Sequence, residues 1–392
     1  MRTASTEEEI ESNFREMTGR ECLFVPSGRV ALWLALRCWL RPGDRLLMSP
    51  VTDDVVFFTV LAAGLRPVMA PLSACDGNID PGAVPAEAWP RLGGVLTSNL
   101  YGLPDRVVEL RSRCGRLGIP LIEDAAHALQ TEVDGQPIGT FGTAGAFSLS
   151  KHLAARAGGV LAFADAAFRP ELELLRRQVT RPRALRRQAL DVLVPTAEEL
   201  VFALRLVRPV RHARRTLRLV ERTAHRMPLR AHDLQEAVAA PPDLDRLDRW
   251  VRVDLHAYRT SAGRVQLRRA RRRLAAVTGE RELRVDGVRR LGAVDAAAPA
   301  VREGPPRPLF RVPLLIEERD RVVGELERHG IGTGYLYDPP LDDYAGAFAE
   351  PSSAPAAARW WAEHVLPVDP LDAERVLQVM KRIRVTPATS PS

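Results

Sequence analysis

The feature that most constrains this chain is the alternation between residues 27 and 165. RLLMSP, RPVMAPL, GGVLTSNL, IPLIEDAA, AGAFSLS and GGVLAFAD are short apolar runs, each bounded by Gly, Pro or Asp, and helix-like stretches such as DRVVELRSRCGRLG separate some of them. Runs of this length suit strands buried on both faces, and strands alternating with helices build a mostly parallel sheet covered by helices. SGRVALWLALRCWL predicts a buried helix capped by Ser27. In such sheets ligands sit beyond the carboxyl ends of the strands. That is where Asp124, Lys151 and the turn Ser27-Gly28-Arg29 fall.

The remaining sequence is read more coarsely. At 392 residues the chain is long enough for one large and one smaller domain. The division expected is a large domain over 1–245, with an arginine-rich helical insert at about 176–230, and a small domain over 246–392. From about Asp245 onward, LDRWVRVDLHAYRTSAGRVQLRRARRR reads as one long connecting helix. It is followed by a strand in LFRVPLLI, a helix through RVVGELERHG, the loop YLYDPPLDDY, a flexible surface loop in EPSSAPAAA and a closing helix.

Charge is distributed unevenly. The net charge is +7, yet residues 176–230 hold fifteen arginines against Asp191, Glu198, Glu199 and Glu221, which leaves the rest of the chain at −4. Basicity confined to one segment does not point to nucleic acid as a partner of the whole protein. Within that segment, Thr196 and Glu199 form a capping-box pattern ahead of apolar positions and arginines at helical spacing. The segment reads as a solvated helical surface, with an anionic-membrane or partner surface as the sharper alternative and nucleic acid as the least favoured. No apolar run is long enough to span a bilayer, and the acidic start MRTASTEEEIESNF has no apolar signal region, so a cytoplasmic protein is expected. Cys22, Cys38, Cys75 and Cys114 are far apart and lack CxxC spacing, so no zinc or iron–sulfur site is expected.

Lysine is nearly absent. Of 56 Lys and Arg residues, only Lys151 and Lys381 are lysine. Lys381 lies in the amphipathic stretch ERVLQVMKRI and reads as a solvated cation. Lys151 follows a strand-like run, and a lysine amine can serve as a nucleophile where a guanidinium cannot. One use of such an amine is a Schiff base with pyridoxal phosphate, whose phosphate needs N–H donors and whose ring nitrogen needs a carboxylate. The helix opening at Ser27-Gly28-Arg29 supplies the first kind of group, and Asp124 at a strand end supplies the second. His127, three residues on, could lean over the ring. Each feature alone has a plain structural reading: a cap, a loop carboxylate, a core histidine.

Taken in order, SGRVAL, PVTDDVVFFTVLAAGLRPVMA, SNLYG, IEDAAHA, FSLSK and GG resemble the DegT/StrS-type sugar aminotransferases, and ERHGIGTGYLYDPPL and VLPVDPLDAERVLQVM extend the resemblance. It implies an α/β fold of the pyridoxal-phosphate-dependent transferase type I, with a mostly parallel central sheet in a large domain and a smaller C-terminal α+β domain. It also implies that Lys151 bonds to the cofactor and Asp124 pairs with its pyridine nitrogen. His127 would lie near the phenolic oxygen, and Gly28, the backbone of Arg29 and Ser148 would hold the phosphate. The activity implied is amino transfer, with glutamate as donor, to a nucleotide-linked keto-sugar or related cyclic ketone, by a homodimer. A sugar dehydratase of the same family is the alternative enzyme, disfavoured because its kind carries histidine at the lysine position. A degenerate member acting as a scaffold is the other. Arg29 stands where the family has threonine, Asp53 where it has an aromatic that stacks on the cofactor, and Pro228 where it has an asparagine reaching the partner's phosphate. The interval from Ser148 to Lys151 is two residues shorter than the common form.

Overall fold

The computed structural model describes residues 5–153, 155, 158–183, 226–252, 257–334 and 336–389. Among these, a seven-stranded sheet forms from β1 (Glu21–Val25), β2 (Arg45–Met48), β3 (Arg66–Met69), β4 (Gly94–Thr97), β5 (Leu121–Asp124), β8 (Ala144–Ser148) and β9 (Gly159–Phe163), in the order β1-β9-β8-β5-β4-β2-β3. A two-residue hairpin, β6 (Glu132–Val133) and β7 (Gln136–Pro137), precedes β8. The strands from β8 to β3 pair parallel, and β9 runs antiparallel between β8 and β1. The six apolar runs of the sequence thus become β2, β3, β4, β5, β8 and β9. The edge strand β1, ECLFV, was not foreseen.

Local chemistry explains the helices that flank the sheet. Helix α1 (Thr6–Thr18) starts with a reciprocal capping box between Ser5 and Glu8. Helix α2 (Gly28–Trp39) is capped as expected, with the Val30 N–H donating to Ser27 Oγ at 3.3 Å, and its residues Val30 to Leu36 are all buried. Helix α3 (Asp54–Ala62) is buried throughout and starts at the Asp53 cap. Helices α4 (Val107–Leu117) and α5 (Arg169–Val179) are amphipathic, and α4 stops at Gly118 in the left-handed region. Most of the arginine-rich insert, residues 184–225, lies outside the described residues; its first residues complete α5.

After α6 (Ala231–Ala239) the expected connecting helix is shorter than its sequence suggests. Asp248–Val251 forms one turn, and α7 (Arg264–Gly292) starts only at Gly263, whose N–H donates to Gln266 Oε1 at 3.0 Å. The run Thr260, Ser261, Gly263 favours a turn over helix interior, which displaces the start by about five turns' worth of chain. Along α7, Leu267, Ala270, Leu274 and Val277 pack beside the sheet, whereas Val288 and Leu291 pack into a second core. That core holds the antiparallel pair β10 (Val312–Leu315) and β11 (Val365–Val368) with α8 (Arg319–Arg328), α9 (Ala356–His364) and α10 (Ala373–Ile383). The EPSS stretch is fastened: Glu350 pairs with Arg45, and the Ser352 N–H donates to Asp342 Oδ1 at 2.7 Å. Lys381 is exposed, as its sequence suggested. Among the described residues no helix is long and apolar enough to cross a membrane, and no cluster of metal-ligating side chains occurs.

Candidate active site

Strand register brings the candidate residues together at one end of the sheet. Asp124, the last residue of β5, is paired with Ala146 of β8. Ser148 at the end of β8 is paired with Gly159, which is paired in turn with Val25 at the end of β1. Gly158 bridges to Ser27, and its N–H donates to Pro26 O at 2.8 Å. The first turn of α2 therefore lies against the ends of β8 and β9.

Two glycines make this approach possible. A Cβ on Gly28 would lie 2.9 Å from Ser148 Cβ, and one on Gly159 would lie 2.5 Å from the Gly28 nitrogen. Any larger residue would push the helix N-terminus off the strand ends. This packing sets the N-terminus of α2, with its positive dipole end, beside the Ser148 hydroxyl, which donates to Ser150 Oγ at 3.4 Å, a cradle of the kind that can hold an anion. The Arg29 side chain is not part of this cradle. Its Nη1 donates to Val251 O at 2.9 Å and its guanidinium lies over the Tyr258 ring at 5.0 Å.

Adjacent carboxylates on β5 face opposite ways, as the pleat requires. Glu123 is fully buried and accepts the N–H groups of Gly139 at 2.8 Å and Gly142 at 2.6 Å, so it shapes the turn before β8. Burial nevertheless raises its carboxyl to about 7. Asp124 accepts the Ala126 N–H at 3.0 Å. Burial pushes its carboxyl up to about 6, opposed by that hydrogen bond and by Lys151, and Asp53 pushes it further up. The charge of Lys151 also reaches His127, which burial holds well below its usual range, with Lys151 and His152 acting in the same direction. Lys151, Asp124, His127 and Asp53 therefore share one electrostatic environment. Burial favours the neutral form of both His127 and Asp124, and Lys151 pulls Asp124 back toward its ionised form.

Several residues that hold this group were not singled out from sequence. Asn99, in the left-handed region at φ 42°, donates from Nδ2 to Asp124 O at 3.2 Å and to Thr97 Oγ1 at 3.0 Å. His152 is buried, its Nε2 lies 2.9 Å from His127 O and so carries the proton, and burial lowers its pKa to about 4. The His127 ring stacks on Phe310 at 4.9 Å and lies near-parallel to Tyr101 at 6.3 Å. Asn99 and Tyr101 sit in SNLYG, a stretch already noticeable; His152 and Phe310 carry no local signal. Asp53 caps α3 by accepting the Val55 N–H at 3.1 Å, and Pro228 is exposed on this chain.

The cradle, the strand-end carboxylate and the lysine fit pyridoxal phosphate, which needs those three kinds of group. Comparison with known proteins agrees. The model of the DegT/DnrJ/EryC1/StrS aminotransferase family matches residues 1–196, half of the chain. A protein of Streptomyces kanamyceticus named L-glutamine:2-deoxy-scyllo-inosose aminotransferase is 34% identical over 158 residues, 40% of this chain and 37% of that protein. The UDP-N-acetyl-3-dehydro-alpha-D-glucosamine 3-aminotransferase of Acidithiobacillus ferrooxidans is 34% identical over 154 residues, 38% of this chain and 42% of that protein. The matched stretch thus spans about two fifths of each of these relatives. Among solved structures, DesI in the presence of its TDP-sugar product superposes with a TM-score of 0.67 at 20% identity, over 97% of this chain and 85% of that one. E coli GDP-4-keto-6-deoxy-D-mannose-3-dehydratase with bound hydrated PLP gives 0.65 at 16% identity, over 96% and 92%. These structures establish the fold.

Proposed function

The chain belongs to the DegT/DnrJ/EryC1/StrS aminotransferase family, and from that premise we propose that it is a pyridoxal-phosphate-dependent aminotransferase acting on a keto-sugar or cyclic ketone. The observation that carries this is the convergence of Lys151, Asp124 and the Gly28–Ser148 cradle at one strand edge. The amino donor is of the glutamate or glutamine type: glutamate is the family expectation, and relatives named as L-glutamine aminotransferases support glutamine.

In this reading the backbone N–H of Arg29 and the hydroxyl of Ser148 hold the phosphate, with Gly28 allowing close approach. Ionised Asp124 holds a proton on the ring nitrogen, and the Asn99 carboxamide holds the Asp124 backbone in place. Pyridoxal phosphate, when bound, supplies an electron sink for bonds broken at the donor Cα. Lys151 would anchor the cofactor and, as general base and then general acid, would move the proton removed from the donor Cα away from that carbon. Neutral His127, pinned against Phe310, adds no charge beside the ring. Lysine at 151 supports amino transfer over dehydration. Incubation with L-glutamine or L-glutamate and scyllo-inosose-type or nucleotide-linked keto-sugars, with detection of the 2-oxo acid, tests the activity. No 2-oxo acid from any donor in a protein that holds the cofactor would favour the scaffold reading.

We also propose a cytoplasmic homodimer, supported by the family resemblance, with light scattering as its check. Peripheral contact of the 176–230 segment with anionic membranes rests on its excess of arginine. Flotation with anionic and neutral liposomes tests it, and binding indifferent to lipid charge would count against it.

A further inference from the structure

Arg226 is buried and held by five acceptors. It is 7% exposed. Its Nε donates to Pro339 O at 2.8 Å, Nη1 to Thr52 O at 2.7 Å and to Asp54 Oδ1 at 2.5 Å, and Nη2 to Tyr337 O at 3.0 Å and Pro50 O at 3.4 Å. The next residue strengthens the same grip: the Met227 N–H donates to Asp54 Oδ2 at 2.8 Å, and the Tyr344 hydroxyl donates to Met227 O at 2.7 Å. The guanidinium also lies 5.7 Å from the Tyr337 ring and 5.6 Å from the Tyr344 ring. One planar cation therefore joins the turn at 50–54, which enters α3, to the segment at 337–344.

Both ends of this grip lead to the candidate active site. The turn carries Asp53, whose charge reaches Asp124 and His127. Tyr337 stacks near-parallel to Tyr101 at 6.1 Å, and Tyr101 to His127 at 6.3 Å. Arg311 closes the far end of this row of rings by lying 4.6 Å from the Phe310 ring that backs His127.

We propose that Arg226 is a positioning residue for the active site: it fixes the 50–54 turn, and with it Asp53, beside Lys151, Asp124 and His127. The inference rests on the reading of this site as the pyridoxal phosphate site. Its chemistry requires a guanidinium. Five acceptors arranged around a plane match Arg donors, whereas a lysine ammonium keeps the charge but reaches few of them. Arg226→Lys is therefore a graded perturbation that keeps the cation and removes most of the five hydrogen bonds.

The test uses the full chain with pyridoxal phosphate. Three quantities are measured for wild type, Arg226→Lys, Asp53→Asn and the double variant: the cofactor dissociation constant, the visible circular dichroism at saturation and the melting temperature without cofactor. Arg226→Lys is expected to weaken cofactor binding about tenfold and to diminish the visible dichroism, since a displaced site group loses orientation. In the Asp53→Asn background the same substitution should have little further effect. A lower melting temperature with unchanged binding and dichroism would make Arg226 merely structural and overturn the inference. So would full additivity with Asp53→Asn. Should Arg226→Lys fail to fold, Asp54→Asn loosens the same grip and must show the same two changes. Wild type without a visible band at saturating cofactor would overturn the cofactor reading together with this inference; a wild-type band with unchanged variants overturns this inference alone.

Discussion

Two carboxylates at neighbouring strand ends meet opposite fates. Asp105, in the loop after β4, is buried and accepts three backbone N–H groups, from Ile79, Ser98 and Asn99, each at 2.9 Å. Its partner Asn99 returns the contact by accepting the Asp105 N–H at 3.1 Å. Asp124, at the end of β5, accepts the N–H of Ala126 and otherwise faces the charge of Lys151. Burial raises both carboxyls above their usual range. Asp105 is thus a structural acid whose acceptor capacity goes to the chain itself. Asp124 is left with capacity directed toward a site, which is where chemistry is expected.

The contrast can be broken most decisively at Lys151. Lys151→Ala should reduce turnover by at least about 10⁴-fold and remove covalent capture of the cofactor, measured by borohydride trapping and mass analysis. Substantial turnover would mean that Asp124 faces no catalytic amine. Next, Asp124→Asn should retain the fold and lose about 10²–10³-fold in turnover, read from steady-state kinetics. Asp105→Asn should do the reverse. It replaces one of the two acceptor oxygens with an NH2 group, so at least one of the three buried N–H groups loses its acceptor, costing about 1–3 kcal/mol by denaturant unfolding, and its folded fraction should lose far less turnover than Asp124→Asn does.

A smaller effect sharpens the comparison through its sign. Asp124 has a folded pKa raised to about 6 from its ordinary 3.8, so the folded state binds more protons between these values. Its contribution is fully present below about pH 4 and is lost as pH rises through 6. Asp124→Asn should therefore raise cofactor-free stability at pH 8 by about 1–2 kcal/mol, with little gain at pH 4, whereas Asp105→Asn lowers stability at both. Equal signs for the two variants would erase the distinction. Smaller still is the effect of His152, held near 4 instead of 6.5 by burial. Its stabilising contribution, present above pH 6.5, should be lost as pH falls through 4, steepening acid unfolding relative to His152→Phe.

Much of this was legible in the sequence because strand ends carry their own punctuation. Asp124 closes IPLIED, Ser148 lies in AGAFSLS and Lys151 follows it, and Ser27 opens a helix; once the runs are read as parallel strands, their ends must gather on one edge. The contact of Asp105 with the Ile79 N–H, that of His152 with His127 O and the grip of Arg226 on Tyr337 O join residues 25 to more than 100 positions apart. No local pattern encodes such distances, and in a chain this rich in arginine nothing in the sequence marks which guanidinium is buried. The late start of α7 was missed for a different reason: apolar and arginine spacing across 245–263 imitates a helix that Thr260, Ser261 and Gly263 do not continue.

The most direct test of the account is an absorbance spectrum of the purified chain with pyridoxal phosphate, before and after addition of L-glutamine or L-glutamate. The account predicts a visible band that requires Lys151 and disappears when the donor is added. No visible band at saturating cofactor, or an identical one in Lys151→Ala, would contradict it.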